Sequence, residues 1–174
     1  MKRVDLLLKD ADYCRYIKYN TSEGIGLKYC KHGLQHHIDV ARIAYILVLE
    51  HNDLNYFVKE NGLSCKLAGK EIVYATGLLH DIAKWKEIQE GVDHVRYGAR
   101  LARDILPRAF FNPTEVDIIC QAIYEHRNIS TDMSFLGERI HRADNLSRAC
   151  SHCEEAGNCP KREIKEMGVT NFGY

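Results

Sequence analysis

Apolar residues recur every third or fourth position along most of the 174-residue chain, and strict apolar–polar alternation is scarce, so the pattern predicts an almost entirely helical protein. The first predicted helix covers VDLLLKDADYCRYIKY (4–19) and stops before the turn-rich NTSEGIG. The second, LQHHIDVARIAYILVLEH (34–51), carries a stripe at His36, Val40, Ile43 and Leu47, which turns His36 inward. A third spans KLAGKEIVYATGLLHDIAKWKEI (66–88), with His80, Asp81 and Lys84 near its end. DHVRYGARLARDIL (93–106) makes a fourth, capped by Asp93, with His94, Gly98, Leu101 and Ile105 along one side. The fifth opens at Asn112, with Pro113 in the first helical position and Glu115 placed to complete a capping box, and it runs Val116, Ile119, Ile123, His126. The sixth (133–150) carries Leu136, Ile140 and Asp144 four residues apart. Beyond Cys150 the chain turns polar and cysteine-rich. The expected fold is all-α, a bundle of about six helices over residues 1–149, with 150–174 a cysteine-rich tail or small metal knuckle packed on it.

Charge narrows the choice of partner. Lys plus Arg and Asp plus Glu both number 24, so the formal net charge is zero and no basic footprint for a nucleic-acid polymer is present. No apolar run approaches the length of a membrane span, and the opening MKRVDLLLKD lacks a secretory core, which predicts a soluble cytoplasmic protein. A small substrate is expected rather than a polymer or a membrane.

The nine histidines carry the chemistry. A single core-facing histidine is ordinarily a hydrogen-bonded structural residue, yet here His36, the pair His80 and Asp81, His94, His126 and Asp144 all lie on or beside apolar stripes of different helices. Buried without a common partner, each would cost about 2 kcal/mol or more. A metal centre takes neutral imidazole nitrogens and carboxylate oxygens directly and removes that cost. The donor set contains no thiolate and suits iron or manganese better than magnesium.

HHIDVARIA, LLHDIAK, HVRYGARLARDIL, AIYEHR and RADNLSR together resemble the HD-domain superfamily of metal-dependent phosphohydrolases over residues 30 to 150, and the order H, HD, H, H, D resembles its two-metal branch. The spacing is similar to that of bacterial symmetrical diadenosine tetraphosphate hydrolases, and the whole motif set to small clostridial HD proteins. The resemblance implies that His36, His80, Asp81 and Asp144 hold a first ion, and that Asp81 bridges to a second held by His94 and His126. It selects His36 over His37, four residues before the valine of VA; His37 is then expected behind the ligands or at the surface. His32, His51, His141 and His152 are expected in structural or surface roles. Lys84, one turn past His80, and Arg148, one turn past Asp144, are the candidate phosphate contacts. The implied reaction is hydrolysis of a phosphoester or phosphoanhydride of a nucleotide-like small molecule by a water activated between two metals. The cyclic-dinucleotide branch is disfavoured, because EHRNISTD lacks its GYP motif.

Cys150, Cys153 and Cys159 have the spacing C-x2-C-x5-C, and Cys30, six residues before His36, is the natural fourth ligand of a structural zinc or iron–sulfur knuckle. Ordinary reduced thiols are the alternative. Cys14, Cys65 and Cys120 read as packing residues. Two other functions share this sequence pattern: a di-iron oxygenase of the same superfamily, and a noncatalytic metal or redox sensor in which the cysteines respond.

Overall fold

A computed structural model describes residues 1–21, 32–148 and 158, and among these it contains nine α-helices and no strand. They are α1 (Lys2–Lys9), α2 (Ala11–Thr21), α3 (Leu34–Glu50), α4 (Leu54–Glu60), α5 (Lys66–Leu79), α6 (Lys84–Glu90), α7 (His94–Ile105), α8 (Pro113–Glu125) and α9 (Phe135–Leu146), with a 3-10 turn at Leu106–Ala109 after α7. The all-α expectation holds, and the expected number of helices is too small. Among the described residues no helix is long and apolar enough to cross a membrane.

Three differences account for the larger number. The predicted 4–19 helix breaks at Asp10, whose backbone is extended (φ −62°, ψ 131°). Its Oδ1 accepts the main-chain N–H groups of Asp12 (3.0 Å) and Tyr13 (3.2 Å), so a polar residue in an apolar stripe caps a second helix. The predicted 66–88 helix likewise ends at Leu79. It tightens through main-chain bonds from Ile82 to Leu79 and from Lys84 to Asp81, and resumes as α6 until Gly91, at φ +68°, ends it in the left-handed region. Asn20 of α2 bridges this break, donating from Nδ2 to the Asp81 carbonyl (3.0 Å) and accepting from Trp85 N–H (2.8 Å). The short α4, which was not expected, buries a single aromatic, Phe57.

Two predicted starts are found as expected. Asp93 caps α7 by accepting from Val95 N–H, and Asn112 and Glu115 form the reciprocal capping box of α8. Glu115 does more than cap, since its Oε2 also receives Arg3 Nη1 at 2.6 Å. Arg3 joins it to Glu71 of α5 at 2.6 Å and lies 4.3 Å above the Phe111 ring, so one nearly buried cation ties α1, α5 and α8 together.

α3 lies against α5 on one side and α9 on the other, and α8 packs on α5, α7 and α9. Val40, Ala44, Val48, Ile72, Ala75, Leu79, Ile119, Ile123, Ile140 and Ala143 fill the space between them. α3 and α9 run antiparallel: His36 near the start of α3 faces Asp144 near the end of α9, while Asp53, just past α3, pairs with Arg139 near the start of α9 at 2.8 Å. The α3–α5 seam is closed to the backbone, because a Cβ on Gly77 would stand 2.5 Å from the Ala41 Cα.

Two stability outcomes follow. Gly77→Ala forces α3 and α5 apart and is expected to cost about 3 kcal/mol, the upper end for overpacking, read as a fall in the denaturant midpoint. The second concerns Asp10, whose carboxyl is held below its ordinary value of 3.8 by hydrogen bonds from Arg108 (2.7 and 2.9 Å). Its folded pKa is depressed, so this pair's contribution is complete above the unfolded value and disappears as pH falls through the lowered one. Asp10→Asn keeps the cap but not the charge. Its deficit against the parent is expected to be full at pH 7 and to shrink steadily as pH falls below 3.8 in thermal melts.

Candidate metal centre

Six side chains from sequence-distant elements converge in the core, as expected from the spacing. His36, His80, Asp81 and Asp144 bring one donor atom each within 4.8 Å of one another, and Asp81, His94 and His126 do the same. Asp81 belongs to both sets. Its Oδ1 lies 3.0 Å from His94 Nε2 and 3.5 Å from His126 Nε2, and its Oδ2 lies 3.6 Å from His80 Nε2. Asp144 Oδ1 is 3.2 Å from His36 Nε2 and 3.7 Å from His80 Nε2.

The folding of each element sets which nitrogen faces inward. His80 and His126 stand at the C-terminal ends of α5 and α8, where main-chain carbonyls are left without helical donors. Each turns Nδ1 back onto the carbonyl three residues earlier, His80 on Gly77 (2.8 Å) and His126 on Ile123 (2.7 Å). A carbonyl can only accept, so Nδ1 carries the proton and the Nε2 lone pair points into the site. His36 reaches the same tautomer by another route. Ser147 Oγ donates its one proton to the Asp144 carbonyl (2.8 Å), and therefore accepts from His36 Nδ1 (3.2 Å). His94, the first residue of α7, has Nδ1 3.0 Å from Glu87 Oε1.

The donor atoms left over fit metal ions. His36 Nε2, His80 Nε2, Asp81 Oδ1, His94 Nε2 and His126 Nε2 are buried with no hydrogen-bond partner. Each such group costs about 1–3 kcal/mol when left unsatisfied. Together with Asp81 Oδ2 and Asp144 Oδ1 they face one another, acceptor to acceptor, at 3.0 to 3.7 Å. Donors that are each about 2.1 Å from a shared ion stand at such separations. Protonation agrees. Burial alone would raise the Asp81 carboxyl, but the surrounding His80, His32 and His126 outweigh it and hold it well below the ordinary range. Asp144 is held down in the same way, against its burial, by His36, His80 and Arg148. Burial lowers the His80 imidazole below its ordinary value. Neutral imidazoles and charged carboxylates are the forms that ligate a cation.

Several expectations need correction. Of the two places expected for His37, the one behind the ligands is found: it is fully buried, with Nδ1 2.8 Å from the Leu78 carbonyl and its ring 5.1 Å from that of His80. His32, expected to be structural or exposed, is buried with Nδ1 2.8 Å from Asp81 Oδ2. His141 is structural, against the His126 carbonyl at 2.8 Å, and Cys65 is exposed at the start of α5 rather than packed. His80 and Asp81 sit in a turn, and Lys84 opens the next helix with its ammonium against Glu87. Arg148 lies on its neighbour, Nη2 to Asp144 Oδ1 at 2.5 Å. Glu87 and Asn20 gave no signal in the sequence; a carboxylate seven residues before a histidine is too common a spacing to mark. Cys30, Cys150, Cys153 and Cys159 lie outside the described residues, as does His152.

Residues 33–149 match the family model described as HD domain. The chain is 34% identical over 159 residues to a Clostridium beijerinckii protein described as "Uncharacterized protein", across 91% of this chain and 92% of that one. It is 32% identical over 91 residues to a bifunctional uridylyltransferase/uridylyl-removing enzyme of Bradyrhizobium sp., a match that takes in 51% of this chain and 9% of that one. The crystal structure of a predicted HD superfamily hydrolase from an uncultured Thermotogales bacterium shares the fold, with a TM-score of 0.56 at 20% identity over 91% of this chain and 84% of that one.

Glu87 is half-exposed and touches the site only through His94 and Lys84. Glu87→Ala is expected to loosen one of two bound ions by about 10- to 100-fold. Glu87→Gln, which keeps an acceptor for His94, should recover most of that loss in a calorimetric Mn(II) titration.

Proposed function

The chain belongs to the HD-domain family and carries two clustered histidine–aspartate sets of the kind that serve two-metal hydrolysis; on that premise we propose that it is a metal-dependent phosphohydrolase acting on a phosphoester or phosphoanhydride of a nucleotide-like small molecule. The observation that carries this reading is the Asp81 carboxylate, with one oxygen turned to each donor set. When bound, two divalent transition ions, iron or manganese by the nitrogen-rich ligand mix, would supply Lewis acidity toward a phosphoryl oxygen and lower the pKa of a water nucleophile.

The protein's own part is placement. His36, His80, Asp81 and Asp144 would hold one ion and Asp81, His94 and His126 the other, with the Nε2 of His36, His80 and His126 turned inward by hydrogen bonds at Nδ1. Lys84 and Arg148 bring two cations close to the ligand set, one beside His94 through Glu87 and one on Asp144. Positive charge at the rim of a metal site suits an anionic substrate, and the Arg148 fork matches phosphate oxygens. The name of the uridylyl-removing relative puts nucleotide-bearing phosphates among the compounds that related chains handle. The resemblance to symmetrical diadenosine tetraphosphate hydrolases makes a dinucleoside tetraphosphate the first compound to assay.

The test couples elemental analysis of anaerobically purified protein to phosphate release over nucleotides, sugar phosphates and dinucleoside polyphosphates. Two ions per chain and release from at least one compound are expected. Asp81→Asn should bind fewer ions and lose activity by at least about 100-fold, beyond the range seen for residues behind the ligands. Oxygen uptake by the reduced iron-loaded protein, with no phosphate released from any compound, would sink the proposal.

A further inference from the structure

His32 has no place in either donor set, yet it is as deeply placed as the ligands. It is 4% exposed, and its Nδ1 stands 2.8 Å from Asp81 Oδ2, the oxygen on the His80 side. Its ring meets the His36 ring edge-on at 5.1 Å between centroids. Among the described residues the donor atoms that converge within 4.8 Å do not include it. So His32 approaches the bridging carboxylate without belonging to either donor set.

A neutral imidazole has one N–H, and a carboxylate oxygen has two lone pairs. If one lone pair of Oδ2 serves an ion, the other is left for a donor. Asp81 is already held at its main chain, where Asn20 Nδ2 donates to its carbonyl at 3.0 Å. That contact fixes the residue but not rotation about the bond to the carboxyl carbon. Terminal sp³–sp² torsions of this kind are broad. A half-turned carboxylate would offer both oxygens to one donor set and neither cleanly to the other, and a two-metal site needs the opposite.

We propose that His32 is a positioning residue which, by donating Nδ1–H to Asp81 Oδ2, holds the carboxylate in the orientation that bridges two ions. This rests on the two-metal reading above. The role is distinct from ligation and from proton transfer: His32 acts through Asp81.

The experiment uses the full chain with Mn(II) alone as the probe. Binding is followed by calorimetry, and spin coupling between paired ions by electron paramagnetic resonance. The parent protein should bind two Mn(II) with the coupled spectrum of a carboxylate-bridged pair. His32→Ala should loosen the second Mn(II) by about 10- to 100-fold, the usual loss when a ligand's supporting residue is removed, and lose the coupled signal. His32→Asn, whose amide Nδ2 takes the place of imidazole Nδ1, should restore both. Two tightly bound, coupled ions in His32→Ala would overturn the proposal. An Asn variant as impaired as the Ala variant would also overturn it, since it would point to a nitrogen ligand rather than a donor. A parent protein that binds fewer than two ions would overturn the two-metal reading itself, and the proposal with it; coupled ions in the parent with no effect in the variants would remove His32 alone.

Discussion

One carboxylate, wholly buried and surrounded by imidazoles, sets the terms for the rest of this molecule. Asp81 must remain charged in the core to bridge two donor sets. An ionised carboxylate there is tolerated only where cations or donors compensate it. The nearby elements set around it the nitrogen and oxygen donors among which bound cations would supply that compensation. α5 and α8 end where their terminal histidines reach it, α7 begins on one, and Asn20 reaches across from α2 to secure the turn in which it sits. The hydrophobic core is arranged around this charge.

A recurring device is the helix end used as an orienting tool. His80 and His126 occupy equivalent places, each spending its outer nitrogen on a carbonyl that its own helix has left unpaired. The same bond satisfies the helix terminus and selects the tautomer, so two requirements of local structure and chemistry are met by one contact. His94 and His36 lack such a carbonyl and rely on the side chains of Glu87 and Ser147 instead. The centre therefore has two ligands held by backbone and two held by side chains, and the latter are the ones that substitution can tune.

Much of this was legible in the order of residues. The apolar stripes located α3, α7, α8 and α9 closely, because their periodicity is sustained, and α7 and α8 also open on caps built from Asp93, Asn112 and Glu115. All six proposed ligands are brought together, since burying six polar groups on separate stripes has few solutions other than a common centre. The breaks at Asp10 and after Leu79 were not legible. The first turns on Asp10, a residue whose side chain caps the chain two and three residues on, inside an otherwise helical pattern; the second depends on a partner far along the chain, Asn20. His32 escaped for a similar reason. It lies on no predicted stripe, and only the folded chain brings it to Asp81.

The contact of Gly77 with Ala41 bears on how this centre tolerates sequence drift. At that crossing the separation of α3 from α5 is set by main chain meeting main chain, three residues before His80 and five after His36. Side-chain volumes elsewhere in the core can change without altering this spacing. Homologous chains can thus exchange most of their interior while the distance between the two helices' imidazoles stays the same, provided the crossing keeps its two smallest residues.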